Sequence, residues 1–201
     1  MELSTTAEVT AVGKNCARLN LANKMISFLD KPLAIVDIET TGDDEIRHEI
    51  LEIGLLLVEQ KTLSVITSAN WLIKPHHIET AIPAALTKNG YNESDWKDAL
   101  ELSEVMPVFS EMTNGAVFTA FNVCFDLAFI KQAFRTKGVP NLMDYHYFDV
   151  LTLAWSMCGD KLERLNLRAV SELLNVPPET EPHRAINGAN TALEVLKKLK
   201  Q

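Results

Sequence analysis

Leu33-Ala34-Ile35-Val36-Asp37-Ile38-Glu39-Thr40-Thr41-Gly42 is the stretch on which the reading of this chain turns. It begins as an apolar, β-branched run and ends in two carboxylates and a Thr-Thr-Gly turn. Side chains two apart on a strand share a face. Asp37 and Glu39 therefore converge, while Ile38 turns the other way into a core. Two adjacent carboxylates repel unless something neutralises them, and a hard divalent cation with oxygen ligands does so well. Thr40, Thr41 and Gly42 form a turn where backbone N–H groups can approach a substrate closely.

Outward from this stretch the chain alternates strand and helix patterns. Strands are expected over 33–38, 50–58 and 65–73, with Pro75 ending the third. Helical spacing follows over about 79–88, 98–114 and 123–136, with a short strand at 116–120 between the last two. A mixed segment spans 146–157. Helices at about 166–175 and 185–200 flank a loop marked by Pro177-Pro178. On the N-terminal side, Leu19, Ala22, Met25, Ile26 and Leu29 recur at helical spacing, which predicts a short helix over 17–29 stopped by Asp30-Lys31-Pro32. Three strands in sequence and then a strand among helices point to an α/β layer fold with a mixed central sheet flanked by helices. The expected organisation is an N-terminal extension over 1–32 and one domain over 33–201.

The chain has 201 residues, 47% hydrophobic and 23% charged, with 27 Asp+Glu against 19 Lys+Arg and a net charge of −8. This length fits one domain with a short appendage, and the composition excludes a disordered tail, a collagen and a disulfide miniprotein. The acidic balance argues against coating nucleic acid by bulk positive charge, but not against gripping it through metal ions. Cys16, Cys124 and Cys158 are odd in number and form no C-x-x-C pair, which is expected of a reduced, cytoplasmic chain. No signal peptide is visible, and no run approaches the roughly 20 apolar residues of a membrane span.

A bare D-x-E at a strand end is most often a polar edge, but the whole hexapeptide Asp37-Ile38-Glu39-Thr40-Thr41-Gly42 behind an apolar strand is far more specific. At this point the chain resembles the DEDD superfamily of 3′→5′ exonucleases, the group of DNA-polymerase proofreading subunits, ribonuclease T and oligoribonuclease. The resemblance implies a ribonuclease H-like three-layer fold and two further motifs. Phe121-Asn122-Val123-Cys124-Phe125-Asp126 fits the second at Asn122, Phe125 and Asp126, with Phe121 in place of a histidine. Asn122 is placed to N-cap the helix that follows; Phe125, Phe129 and Ala133 share a face suited to a core. His183-Arg184-Ala185-Ile186-Asn187-Gly188-Ala189 fits the third motif of the histidine branch at His183, Ala185 and Ala189, but its final aspartate is Gly188. Segments 148–154 and 165–170 also resemble the family, so the likeness covers residues 33–201.

The resemblance implies a site holding two divalent ions, Mg²⁺ or Mn²⁺, with Asp37, Glu39 and Asp126 as ligands and His183 as the general base; Asp37 and Glu39 thereby share the catalytic work. Thr40, Thr41, Asn122 and Phe125 would meet the substrate, a single-stranded nucleic-acid 3′ end, and nucleoside 5′-monophosphates would leave. Gly188 cannot ligate through a side chain, which leaves the site one charge short and with one ion expected in place of two; Asn187 could offer an amide oxygen as a weaker, uncharged substitute, as could Asn190. Two readings follow: an active exonuclease, and an impaired pseudo-exonuclease acting as a nucleic-acid-binding or protein-interaction module. The helix at 17–29 is free either to pack on the fold or to dock a protein partner, and a homodimer stays open. Arg47 and His48 are expected in a solvated loop, and Trp71, Trp96 and Trp155 in the core.

Overall fold

A computed structural model describes residues 27–179 and 181–201. The expected helix over 17–29 falls almost wholly outside the described residues, as does Cys16; Phe28–Asp30 form a single 3₁₀ turn. Five strands make one sheet: β1 Leu33–Thr40, β2 Ile50–Val58, β3 Val65–Leu72, β4 Val117–Ala120 and β5 Tyr147–Asp149. Their order is β3-β2-β1-β4-β5. β1–β2 and β2–β3 are antiparallel, whereas β1–β4 and β4–β5 are parallel. The expected mixed sheet is thus the observed one.

The alternation along β1 builds the three layers. Ala34, Val36 and Ile38 pack into a core with α2 (Leu102–Met112) and α3 (Val123–Lys137). Leu33 and Ile35 point the opposite way, into a second core with α4 (Val150–Cys158), α5 (Leu167–Leu173) and α6 (Ala185–Leu199). Asp37 and Glu39 continue the second face beyond its apolar part, which carries both toward the start of α6.

Gly54 sets how closely α6 approaches. It pairs with Asp37 across the β1–β2 ladder, and a Cβ there would lie 2.4 Å from the carbonyl carbon of Ala185. Only a residue without a side chain lets the first turn of α6 rest on β2 at this height. Glu52, two residues before, is fully buried and accepts from Arg184 Nε (2.8 Å) and Nη2 (3.2 Å), and from Asn70 Nδ2 (2.8 Å). A buried charge needs such partners, and this pair ties β2 to the residue immediately before α6.

Several boundaries differ from expectation. The helix expected over 79–88 is a 3₁₀ turn, Ile78–Thr80, followed by α1, Pro83–Asn89. The one expected over 98–114 starts only at Leu102, where Glu101 and Glu104 form a capping box; Leu100 instead bridges to Ile73. Trp96 is buried, but Trp155 is 62% exposed, so helical spacing did not make it core. His48 is not in a solvated loop: its ring is covered and Nδ1 accepts from the backbone N–H of Asp44 at 3.0 Å. Cys124 and Cys158 are both free. No helix among the described residues is long and apolar enough to cross a membrane.

Candidate active site

The end of β1, the first turn of α3 and the loop before α6 meet around a cavity of about 340 Å³. Asp37, Glu39, Asp126, Glu179, His183 and Lys88 all line it. Residues nearly 150 positions apart in sequence therefore share one small volume.

Each element has a local reason for its placement. β1 ends where Thr40 Oγ1 donates to Gly42 O (2.5 Å), and Asn89 Nδ2 donates to Thr40 O (3.1 Å) from the end of α1. Asp126 lies in the first turn of α3, where the helix dipole suits a carboxylate, and its Oδ1 accepts the backbone N–H of Ile38 at 3.1 Å. That bond joins α3 to β1 between the two carboxylates of the first motif. Asn122 stands at the N-cap position of α3, but its backbone is left-handed (φ 68°) and its side chain does not cap. Asp149 does the capping: its Oδ1 accepts from Asn122 N (3.0 Å) and Val123 N (3.1 Å), and the same carboxylate caps α4. The Asn122 side chain is thereby left exposed at the cavity rim.

The carboxylates crowd one another without matching cations. Burial, and then Asp126 and Glu39, push the Asp37 carboxyl well above its ordinary value. Burial raises Glu39 to about 7, against the opposing pull of Lys88 and with Glu179 and Glu52 adding to the rise. Asp126 is also raised by burial, although backbone N–H groups, including that of Ile38, work the other way. Glu39 is 8% exposed and Asp126 3%. The Glu39 carboxylate has no hydrogen-bond donor among the described residues. Acidic oxygens this close together, of which Asp126 Oδ1 accepts from Ile38 N–H and those of Glu39 have no donor among the described residues, suit a hard divalent cation; Mg²⁺ or Mn²⁺ fits this chemistry, and Asp37, Glu39 and Asp126 are residues that could hold it.

The remaining expected residues divide. Thr40 and Phe125 line the cavity, Phe125 with its ring 5.2 Å from that of Phe129. Thr41 does not: it is fully buried, its N–H donates to Glu49 O, and its Oγ1 accepts from Glu49 N. The turn is structural at that residue, with nothing left for a substrate. Asn187 is absent from the cavity wall, and Asn190 donates its amide to Ile186 O on its own helix. Neither side chain lines the cavity. Gly188 packs directly on Asp37.

Two cavity residues escaped the sequence reading. Lys88, at the end of α1, brings the one ammonium group to the wall among the described residues; its backbone carbonyl also accepts from His183 N–H at 3.1 Å. Glu179 lies 2.9 Å from His183 Nδ1 through Oε2, and its Oε1 accepts from Arg184 N at 3.0 Å. A carboxylate four residues before the motif histidine was the available signal, but it lies in the loop marked by Pro177-Pro178.

Known proteins are similar to this chain. The family described as Exonuclease (RNase_T) matches residues 34–196. A PolC-type DNA polymerase III of Caldanaerobacter subterraneus subsp. tengcongensis is 31% identical over 172 residues, 85% of this chain and 12% of that protein. The 3′-5′ exonuclease DinG of Staphylococcus epidermidis is 29% identical over 163 residues, 81% of this chain and 17% of that protein. The chain thus spans less than a fifth of the length of either relative. Among solved structures, E. coli exonuclease I in complex with a dA16 oligonucleotide superposes with a TM-score of 0.71 at 13% identity, over 85% of this chain and 41% of that one. The three layers are those of the ribonuclease H-like fold, and with the family match covering most of its length the chain belongs to the Exonuclease (RNase_T) family, within the DEDD superfamily.

Proposed function

We propose that this chain is a divalent-cation-dependent 3′→5′ exonuclease of the histidine branch, which hydrolyses the terminal phosphodiester of a single-stranded end and releases nucleoside 5′-monophosphates. The observation that carries this reading is the meeting of Asp37, Glu39, Asp126 and His183 around one cavity. Mg²⁺ or Mn²⁺ bound there supplies positive charge that lowers the pKa of a water and stabilises charge on the scissile phosphate. Asp37 and Glu39 hold that charge from β1, and Asp126 from α3. His183 Nδ1 lies 2.9 Å from the Glu179 carboxylate; a ring that carries its proton on Nδ1 leaves Nε2 to accept one from the attacking water. Lys88 offers an ammonium to a substrate phosphate, and Phe125 an apolar wall to the terminal base. The small cavity and acidic surface favour a gripped 3′ end over tracking along a duplex. The oligonucleotide held by the structurally similar exonuclease I supports a single-stranded substrate, and the long polymerase relative supports a proofreading setting.

Gly188 favours a second reading, in which the fold binds nucleic acid and cleaves it weakly or only with Mn²⁺. Chromatography of the products separates the two. Purified chain with Mn²⁺ is expected to release nucleoside 5′-monophosphates from single-stranded DNA or RNA, and with EDTA none; oligonucleotide retained intact in both samples supports the binding module.

A further inference from the structure

Three carboxylates of the cavity come from positions 37, 39 and 126, and position 188 adds none. We infer that Glu179 is the fourth carboxylate of the cation-binding group, supplied from the loop before His183 in place of a side chain at Gly188. The inference rests on reading the cavity as a cation site.

The space at 188 is taken. A Cβ there would lie 2.4 Å from Asp37 Oδ2 and 2.6 Å from its Cγ. The helix face that would have carried a fourth carboxylate instead lets Asp37 lie against the backbone of α6. A replacement must therefore come from another wall of the cavity.

Glu179 meets that requirement. Its side chain is 9% exposed and lines the cavity. Arg184 N–H donates to Oε1 at 3.0 Å, and His183 Nδ1 lies 2.9 Å from Oε2. A carboxylate has about four acceptor sites, so this donor and the neighbouring imidazole leave lone pairs free. One ligand atom from each of Glu39, Glu179 and His183 lies within 4.8 Å of the others. Glu39 supplies the independent sign of a ligand: it is more than nine-tenths buried, faces the cavity, and has no donor among the described residues. Two carboxylates held this close, one of them without a donor among the described residues, repel in the protein alone and attract a cation between them. A role confined to capping α6 or turning His183 would need neither the closeness to Glu39 nor its missing donor.

The test is Mn²⁺ binding to the whole chain, followed by electron paramagnetic resonance of the free ion, with Mn²⁺ alone as the probe. Wild type is compared with Glu179→Gln, Asp37→Asn and Glu111→Gln, an exposed position on α2 that removes the same charge. Gln keeps the acceptor for Arg184 N–H. The expected result is a loss of affinity of at least tenfold in Glu179→Gln and in Asp37→Asn, with Glu111→Gln within twofold of wild type. Wild-type affinity in Glu179→Gln alone overturns the inference and leaves the cation site standing. A shifted pH–activity profile at unchanged affinity does the same, and assigns Glu179 to positioning His183. Unchanged affinity in Asp37→Asn as well overturns the cation site itself. Should Glu179→Gln not fold, Glu179→Asp withdraws the carboxylate by one methylene; it is expected to weaken Mn²⁺ binding at least threefold, and wild-type affinity there overturns the inference.

Discussion

The carboxylate of Asp37 occupies the space in which a side chain at position 188 would begin, with Oδ2 only 2.4 Å from where a Cβ of residue 188 would stand. The glycine and the aspartate therefore act as a pair. Restoring a family-like aspartate at 188 must first move Asp37.

Gly188→Asp makes that explicit. Replacing a glycine inside a helix favours the variant by up to about 1 kcal/mol, and a carboxylate in the first turns of α6 gains about 0.3–1 kcal/mol from the dipole. Against this, an added carboxylate among Asp37, Glu39 and Glu179 costs several kcal/mol when unpaired, so crowding wins in the cation-free protein. The variant is expected to melt below wild type in EDTA at pH 8 and to gain more than wild type from Mn²⁺. Equal melting temperatures in EDTA would contradict the crowding.

Stability of the cation-free protein should fall as pH rises. Glu39 is raised from 4.5 to about 7 in the folded state, so between those values the folded chain holds a proton that the unfolded chain has lost. The resulting stabilisation is complete below about 4.5 and is lost on passing about 7. Asp37 and Asp126 are raised in the same sense. Urea titrations in EDTA from pH 5 to 8 are expected to show decreasing stability, and Asp37→Asn a shallower decrease. A flat or rising profile would show that these carboxylates are not crowded.

The Glu52–Arg184 pair predicts a stability effect separate from chemistry. Arg184→Met leaves the fully buried Glu52 with Asn70 as its one donor among the described residues. Breaking a buried pair costs about 3–5 kcal/mol. Because Arg184 is 37% exposed, screening places the expected loss at about 2–4 kcal/mol. Denaturant unfolding checks this; a loss under 1 kcal/mol would mean that solvent reaches Glu52.

His183→Ala should separate proton transfer from cation binding. Loss of a general base lowers turnover by about 10²–10⁴-fold, while Asp37 and Glu39 on β1 and Asp126 on α3 stay in place. Single-turnover rates and Mn²⁺ affinity measured together check it; a parallel collapse of both would make His183 a ligand.

Much of this was legible along the chain. The period-two alternation of β1 placed Asp37 and Glu39 on one face because burial on both sides of a central strand enforces it. Asp126 was legible as a carboxylate in the first turn of an apolar helix. What stayed hidden depends on contacts between distant segments. Asp149, not Asn122, caps α3, since β5 delivers its carboxylate to that helix start. Glu179 looked like a loop residue because nothing local shows that His183 and Arg184 grip it. Thr41 looked available, yet its bonds to Glu49 across the turn consume it. Glu52 sits inside an apolar strand, and the fold shows that Arg184 meets its buried carboxylate.

The most direct test of the central claim is a ladder assay with a 5′-labelled single-stranded oligonucleotide and Mn²⁺ or Mg²⁺, run for the wild-type chain beside Asp37→Ala. The exonuclease assignment predicts stepwise shortening from the 3′ end in wild type and none in the variant. Identical traces for the two proteins, whether both cut or both intact, would contradict it.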